Sequence, residues 1–176
     1  KLGEMPIKIT SVIGNRDNCQ KIAEQAGIPF HHINLDGDNR ETGFQEIKKI
    51  LSDENVELTV LARFMQILPT WFCDEYTGKI INIHHSFLPA FIGANPYRQA
   101  HERGVKIIGA TAHFVTEQLD DGPIIVQQVI NVNHTANAQT MAQSGKDVEQ
   151  IVLSKALKLL CEDRIFLAGN RTIIFD

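Results

Sequence analysis

The chain has no run of the roughly 18 consecutive apolar residues that a membrane-spanning helix needs, and Lys1, Leu2, Gly3 and Glu4 do not form the apolar stretch of a signal peptide. A cytosolic chain is expected. Positive charge is not in excess either: 17 Lys and Arg stand against 21 Asp and Glu, a formal net charge of −4. No nucleic-acid or anionic-membrane partner is therefore expected, because little is present to neutralise phosphates. Cysteine is scarce. Cys19, Cys73 and Cys161 lie more than fifty residues apart and belong to no CxxC or Cys/His pair, so structural thiols are expected rather than a metal or redox site. Repeats, low-complexity segments and a Pro/Ser-rich linker are missing, and 176 residues are enough for one well-filled core.

What is present alternates strand and helix. Ile7 to Ile13 is apolar and β-branched, and Gly14 to Asp17 then supply turn chemistry and an N-cap. A helix is expected from about Asn18 to Ala26, ending at Gly27, with a strand from Phe30 to Asn34. Phe44, Ile47, Ile50 and Leu51 fall at helical spacing, and Glu57 to Ala62 reads as a strand buried on both faces. A short helix near Thr70 to Glu75, the strand Lys79 to His84 and a helix over Tyr97 to Arg103 continue the pattern. Two β-rich runs come next, Ile107 to Val115 and Ile124 to Val132, joined by a sharp loop. Val148 to Leu160 predicts a C-terminal helix, and Arg164 to Phe175 a hairpin around Ala168, Gly169 and Asn170. The fold class is α/β, mostly parallel, with an antiparallel part late in the chain. In such sheets ligands sit at the carboxyl ends of the strands, so polar residues there carry the weight.

Three segments stand at such ends. In Ile81-Asn82-Ile83-His84-His85 the period-two strand points Asn82 and His84 to the same side. An amide that can bind a carbonyl oxygen as it gains charge then stands beside an imidazole that can move protons. The same pair could instead satisfy backbone groups in a buried strand. Asp120 and Asp121 sit in a tight loop straight after a strand, where one could orient a histidine or a water and where either could simply cap the turn. Leu61 to Pro69 is an apolar stretch that could take a flat heterocycle or pack beneath a loop. His84-His85 looks superficially like a metal-ligand pair. Strand neighbours point to opposite faces, however, and no third ligand lies nearby in sequence, so no metal is expected.

Together, Asn82-Ile83-His84 followed by Ser-Phe-Leu-Pro, the Leu119-Asp120-x-Gly122-Pro123 loop and Phe64-Met65-x-Ile67-Leu68 resemble the formyltetrahydrofolate-dependent formyl-transfer hydrolases and transferases. The order matches as well. His84-His85, Gly93 to Ala100, Ile108 to Phe114 and Gly169 to Thr172 resemble the deformylase branch, and His85 stands where the glycinamide ribonucleotide transformylases usually carry Pro.

The resemblance implies a three-layer Rossmann-like sheet with helices on both faces and an antiparallel C-terminal part. It implies hydrolysis of 10-formyltetrahydrofolate to tetrahydrofolate and formate, supplying purine synthesis and balancing one-carbon pools. By the same resemblance Asn82 polarises the formyl carbonyl, His84 is the catalytic histidine, and Asp120 positions the water and the imidazole. The folate pterin would rest on Met65, Gln66, Ile67 and Leu68 and on the loop of Val115, Glu117 and Leu119, with His85 and His113 in supporting places. Folate is then a substrate, no cofactor is expected, and the full-length form is expected to be a homo-oligomer. The family fold begins with a further strand and helix, and deformylases add an N-terminal ACT-type regulatory domain, so a C-terminal portion of a longer protein is expected, with 1–176 as its catalytic domain. Formyl transfer to an amine such as glycinamide ribonucleotide, a non-catalytic folate-binding module and a generic nucleotide-binding domain are the alternatives. The last would need a GxGxxG turn where Gly14 to Asp17 has one glycine.

Overall fold

A computed structural model describes residues 5–90 and 96–175, which fall into two compact units, Lys1–Glu57 and Leu58–Asp176. Gly93, Ala94 and Asn95 of the deformylase-like segment lie outside the described residues. Within them no helix is long and apolar enough to cross a membrane.

The first unit holds β1 (Val12–Gly14), a 3-10 turn (Asp17–Cys19), α1 (Gln20–Gln25), β2 (Phe30–His32) and α2 (Asn39–Asp53). β1 and β2 pair in parallel. The expected N-cap at Asp17 does not form. Its carboxylate instead lies 3.2 Å from Nδ1 of His32, and the helix opens without a side-chain cap. Gly27 closes α1 at φ +70, the left-handed backbone that favours glycine. On α2, Gly43, Phe44, Ile47 and Leu51 make one buried stripe.

The second unit contains β3 (Thr59–Ala62), α3 (Thr70–Glu75), β4 (Ile80–His84), α4 (Pro96–Arg103), β5 (Ile107–Phe114), β6 (Ile124–Asn131), α5 (Ala138–Cys161), β7 (Ile165–Ala168) and β8 (Arg171–Ile174). Four strands form one sheet in the order β3-β4-β5-β6. β3 and β4 are parallel, whereas β4-β5 and β5-β6 are antiparallel, so the α/β class and its late antiparallel part are both found. β3 is not buried on both faces as its apolar run suggested. Among the described residues it pairs with β4, and Val60 on it is 37% exposed.

α5 covers one face of the sheet. Val148, Val152, Ala156 and Leu159 pack on Ile81 and Ile83 of β4, Ala110, Ala112 and Phe114 of β5, and Ile125 and Val126 of β6. Each fully buried Val or Leu of such a layer contributes about 1.5–3 kcal/mol. α5 is twice as long as its apolar stripe predicts, because Asn137 caps it: its Oδ1 accepts from the Thr140 backbone N–H at 2.8 Å. β7 and β8 form the expected hairpin, with Gly169 at φ +61 in its turn.

Candidate active site

The strand alternation divides the labour. With Ile81 and Ile83 committed to the core under α5, Asn82 and His84 must face the other side of β4. The antiparallel register then sets His113 of β5 opposite Asn82, and Thr111 opposite His84. Thr111 organises the segment after β4. Its hydroxyl donates to the Ser86 carbonyl at 3.0 Å and accepts from the Leu88 backbone N–H at 3.2 Å, while Gln127 Nε2 donates to the Leu88 carbonyl at 3.0 Å. The Ser-Phe-Leu-Pro motif is thereby tied to the sheet beside the histidine.

Asp120 arrives from the loop after β5. Its φ is +55, a left-handed conformation that Asp and Asn tolerate better than other side chains. The loop can fold back because residue 122 is glycine: a Cβ there would overlap the Phe114 carbonyl oxygen. Phe114 N–H donates to the Pro123 carbonyl at 2.9 Å, and the Cys73 thiol reaches the Thr116 carbonyl at 3.5 Å. The loop is thus held from two sides. Asp120 turns inward, with its side chain 10% exposed, and Asp121 remains exposed.

The side chains of Asn82, His84 and Asp120 converge. His84 Nδ1–H donates to Asp120 Oδ1 at 3.2 Å, and Asn82 Nδ2 stands 3.5 Å from the same oxygen. His113 completes the cluster. Its Nδ1 lies 2.8 Å from the Phe114 carbonyl, which can only accept, so Nδ1 carries the proton and Nε2 is free to accept from Asn82 Nδ2 at 3.2 Å. That bond fixes the Asn82 amide with its nitrogen toward Asp120, and its second N–H is the one that reaches Asp120 Oδ1 at 3.5 Å. The Nε2 of His84 is buried and has no hydrogen-bond partner among the described residues.

These contacts set the electrostatics. The hydrogen bond from His84 holds the Asp120 carboxyl below the usual carboxylate range, despite partial burial. Burial pushes the His113 imidazole down against its bond to the Phe114 carbonyl and the charge of Asp120, which keeps the ring neutral. His85 is pushed down first by burial and then by His84. Its ring was expected on the opposite face of the strand. β4 ends at His84, the chain turns, and the two ring centroids stand 5.0 Å apart. No group of three His, Cys, Asp or Glu side chains able to hold a metal ion occurs among the described residues.

Beside this cluster lies a small open cleft, walled by residues at and after the end of β3 and by the loop after β5, with Asn82, His113 and Asp120 on its lining. Of the residues expected to hold a heterocycle, Gln66, Ile67, Leu68, Val115, Glu117 and Leu119 line it. Met65 does not. It is 63% exposed, and Phe64 takes the place on the wall. Leu61, which opens the apolar stretch read as a heterocycle wall, also lines the cleft, as do Thr116 and Gln118, which sit between the loop residues expected there.

Residues 1–157 match the family described as formyl transferase. The chain is 48% identical over 172 residues to the formyltetrahydrofolate deformylase of Haemophilus influenzae, covering 98% of this chain and 62% of that protein. It is 45% identical over 174 residues to that of Bacillus subtilis, covering 99% and 58%. The crystal structure of a formyltetrahydrofolate deformylase from Pseudomonas syringae pv. tomato superposes with a TM-score of 0.93 at 45% identity, over 98% of this chain and 58% of that one. Glycinamide ribonucleotide transformylase 1 from Symbiobacterium toebii superposes with a TM-score of 0.92 at 31% identity, over 99% and 84%. The chain spans between 58 and 62% of the length of the two curated relatives. A matching segment that runs from residue 1 through most of α5, and so takes in the whole Asn82, His84 and Asp120 cluster, places the chain in the formyl transferase family.

Proposed function

We propose that the protein carrying this chain hydrolyses 10-formyltetrahydrofolate to tetrahydrofolate and formate. The observation that carries the reading is the His84–Asp120 pair beside the Asn82 amide, with a second imidazole nitrogen left without a partner among the described residues. In this reading the oxygen of a water adds to the formyl carbon. The carbonyl oxygen takes the negative charge and is met by the Asn82 N–H that otherwise makes only the long 3.5 Å contact to Asp120 Oδ1. His84 Nε2 is the atom from which a proton is taken or given, while Asp120 accepts from Nδ1 and so holds the ring in one tautomer. Collapse breaks the C–N bond, the folate nitrogen gains a proton, and formate leaves. The pterin would rest on the wall around Phe64 to Leu68 and on the loop from Val115 to Asp120. Folate is the substrate, and the three side chains carry the chemistry without a metal or resident cofactor. The same reading extends to a cytosolic homo-oligomer whose full-length form carries an amino-acid-binding regulatory domain of the ACT type.

Hydrolysis is favoured over transfer by the greater likeness to deformylases, 45 to 49% identity against 31% for the transformylase of Symbiobacterium toebii, and by His85. The test uses the intact protein with 10-formyltetrahydrofolate, with and without glycinamide ribonucleotide. Formate released at the same rate in both arms is the expected result. Consumption of the folate only when the amine is present would overturn it.

A further inference from the structure

A second cluster lies beyond His85. Tyr97, in the first turn of α4, donates its hydroxyl to Oε1 of Glu149 on α5 at 2.8 Å, and Arg63 Nη2 lies 3.7 Å from the other carboxylate oxygen. One turn earlier on the same face of α5 stands Gly145, where a Cβ would overlap the ring and hydroxyl of Tyr97. Gly145 and Glu149 therefore make a socket: the missing side chain admits the ring and the carboxylate anchors its hydroxyl. Burial and then the Glu149 bond push the Tyr97 phenol well above its ordinary range, so it stays a donor. The Tyr97 ring centroid is 6.4 Å from that of His85, and His85 is 5.0 Å from His84, both within the range of packed aromatic pairs.

We propose that Tyr97 is a positioning residue, locked into the Gly145–Glu149 socket, that backs His85 and through it fixes the ring of His84 over Asp120. The proposal rests on the deformylase reading. The Asp120 bond constrains one atom of the imidazole, and a single hydrogen bond leaves the ring free to swing about it. A packed ring behind His84 removes that freedom. Because His85 cannot slide away while Tyr97 is anchored, the rate should depend on α5, even though α5 serves mainly to cover the opposite face of the sheet.

The test is steady-state formate release by the intact protein, alongside thermal melting and equilibrium binding of a non-hydrolysable folate. Tyr97→Phe keeps the ring and loses the anchor, so kcat should fall about tenfold with KM, folate binding and melting little changed. Tyr97→Ala should lower kcat about a hundredfold at unchanged KM and folate binding, and melt lower because its packed ring is gone. Glu149→Ala should match Tyr97→Phe, and Glu149→Gln, whose amide oxygen still accepts from the hydroxyl, should recover most of the loss. Gly145→Ala should expel the ring and resemble Tyr97→Ala; if it melts early, Tyr97→Phe and the two Glu149 variants decide. Normal kcat in Tyr97→Phe and Tyr97→Ala with an active wild type would overturn the proposal, as would a rise in KM at unchanged kcat. A wild type that releases no formate would instead sink the deformylase reading on which the proposal stands.

Discussion

Asp120 combines a carboxylate that binds His84 with a left-handed backbone, and substitutions separate the two. Asn tolerates that backbone and keeps the shape, so Asp120→Asn should lose activity by about a hundredfold while giving up only the stability that the charged contact with His84 confers. Asp120→Ala should lose as much activity and in addition cost about 1 kcal/mol of stability, because it lacks the short polar side chain by which Asp and Asn ease a left-handed backbone. Equal melting of the two variants would contradict this. The folded-state carboxyl is held low by the His84 bond, so the stability it confers is present above the ordinary carboxylate value of about 4 and is lost as the pH falls below it. His113 works in a different window. Its folded value is lowered by burial, so the unfolded chain binds a proton first, and the protein should lose stability as the pH falls through about 6.5. Denaturant melts between pH 8 and 5 check this: His113→Asn should flatten the dependence, and an unchanged slope would refute the assignment. Asn82 and His84 were legible because strand alternation puts them on one side of β4, whereas Asp120 was singled out from Asp121 only by the likeness of the Leu119-Asp120-x-Gly122-Pro123 loop to the family. The His113–Asn82 bond was not legible, since it depends on the β4–β5 register, and no local pattern encodes which residue of a later strand pairs with Asn82.

Among the elements, the loop from Val115 to Pro123 bears most directly on the chemistry, and Gly122 is where its fold-back can be tested. Gly122→Ala drives a Cβ into the Phe114 carbonyl. The loop must then lift, which should cost about 1–3 kcal/mol by overpacking and reduce kcat by carrying Asp120 away from His84. Full activity would show that Asp120 does not need the fold-back. The elements most readily read from the chain were those with dense apolar patterning, β4, β5 and the second half of α5. The first half of α5 was missed because only Met141 and Gly145 are buried there, and one of these is a glycine that favours no helix by itself. Its reason for being buried is Tyr97, a residue of another helix.

At the scale of the molecule, a polar cluster on one face of a four-stranded sheet stands beside an open cleft. The family was legible because three short motifs occur in the right order, and those motifs coincide with the cluster and the cleft wall. Which residue of the wall faces inward was not legible, and Phe64 rather than Met65 holds that place, because an apolar segment leaving a strand can rotate without changing its pattern. The central claim is that His84 acts on the reacting formyl group and is not a packed strand histidine. The most direct measurement is formate release by His84→Ala in the intact protein, alongside its affinity for a non-hydrolysable folate. The expected result is a kcat lower by about a hundredfold or more, roughly 3 kcal/mol, with affinity close to wild type. A near-normal kcat would contradict the claim and return His84 to the core of the sheet.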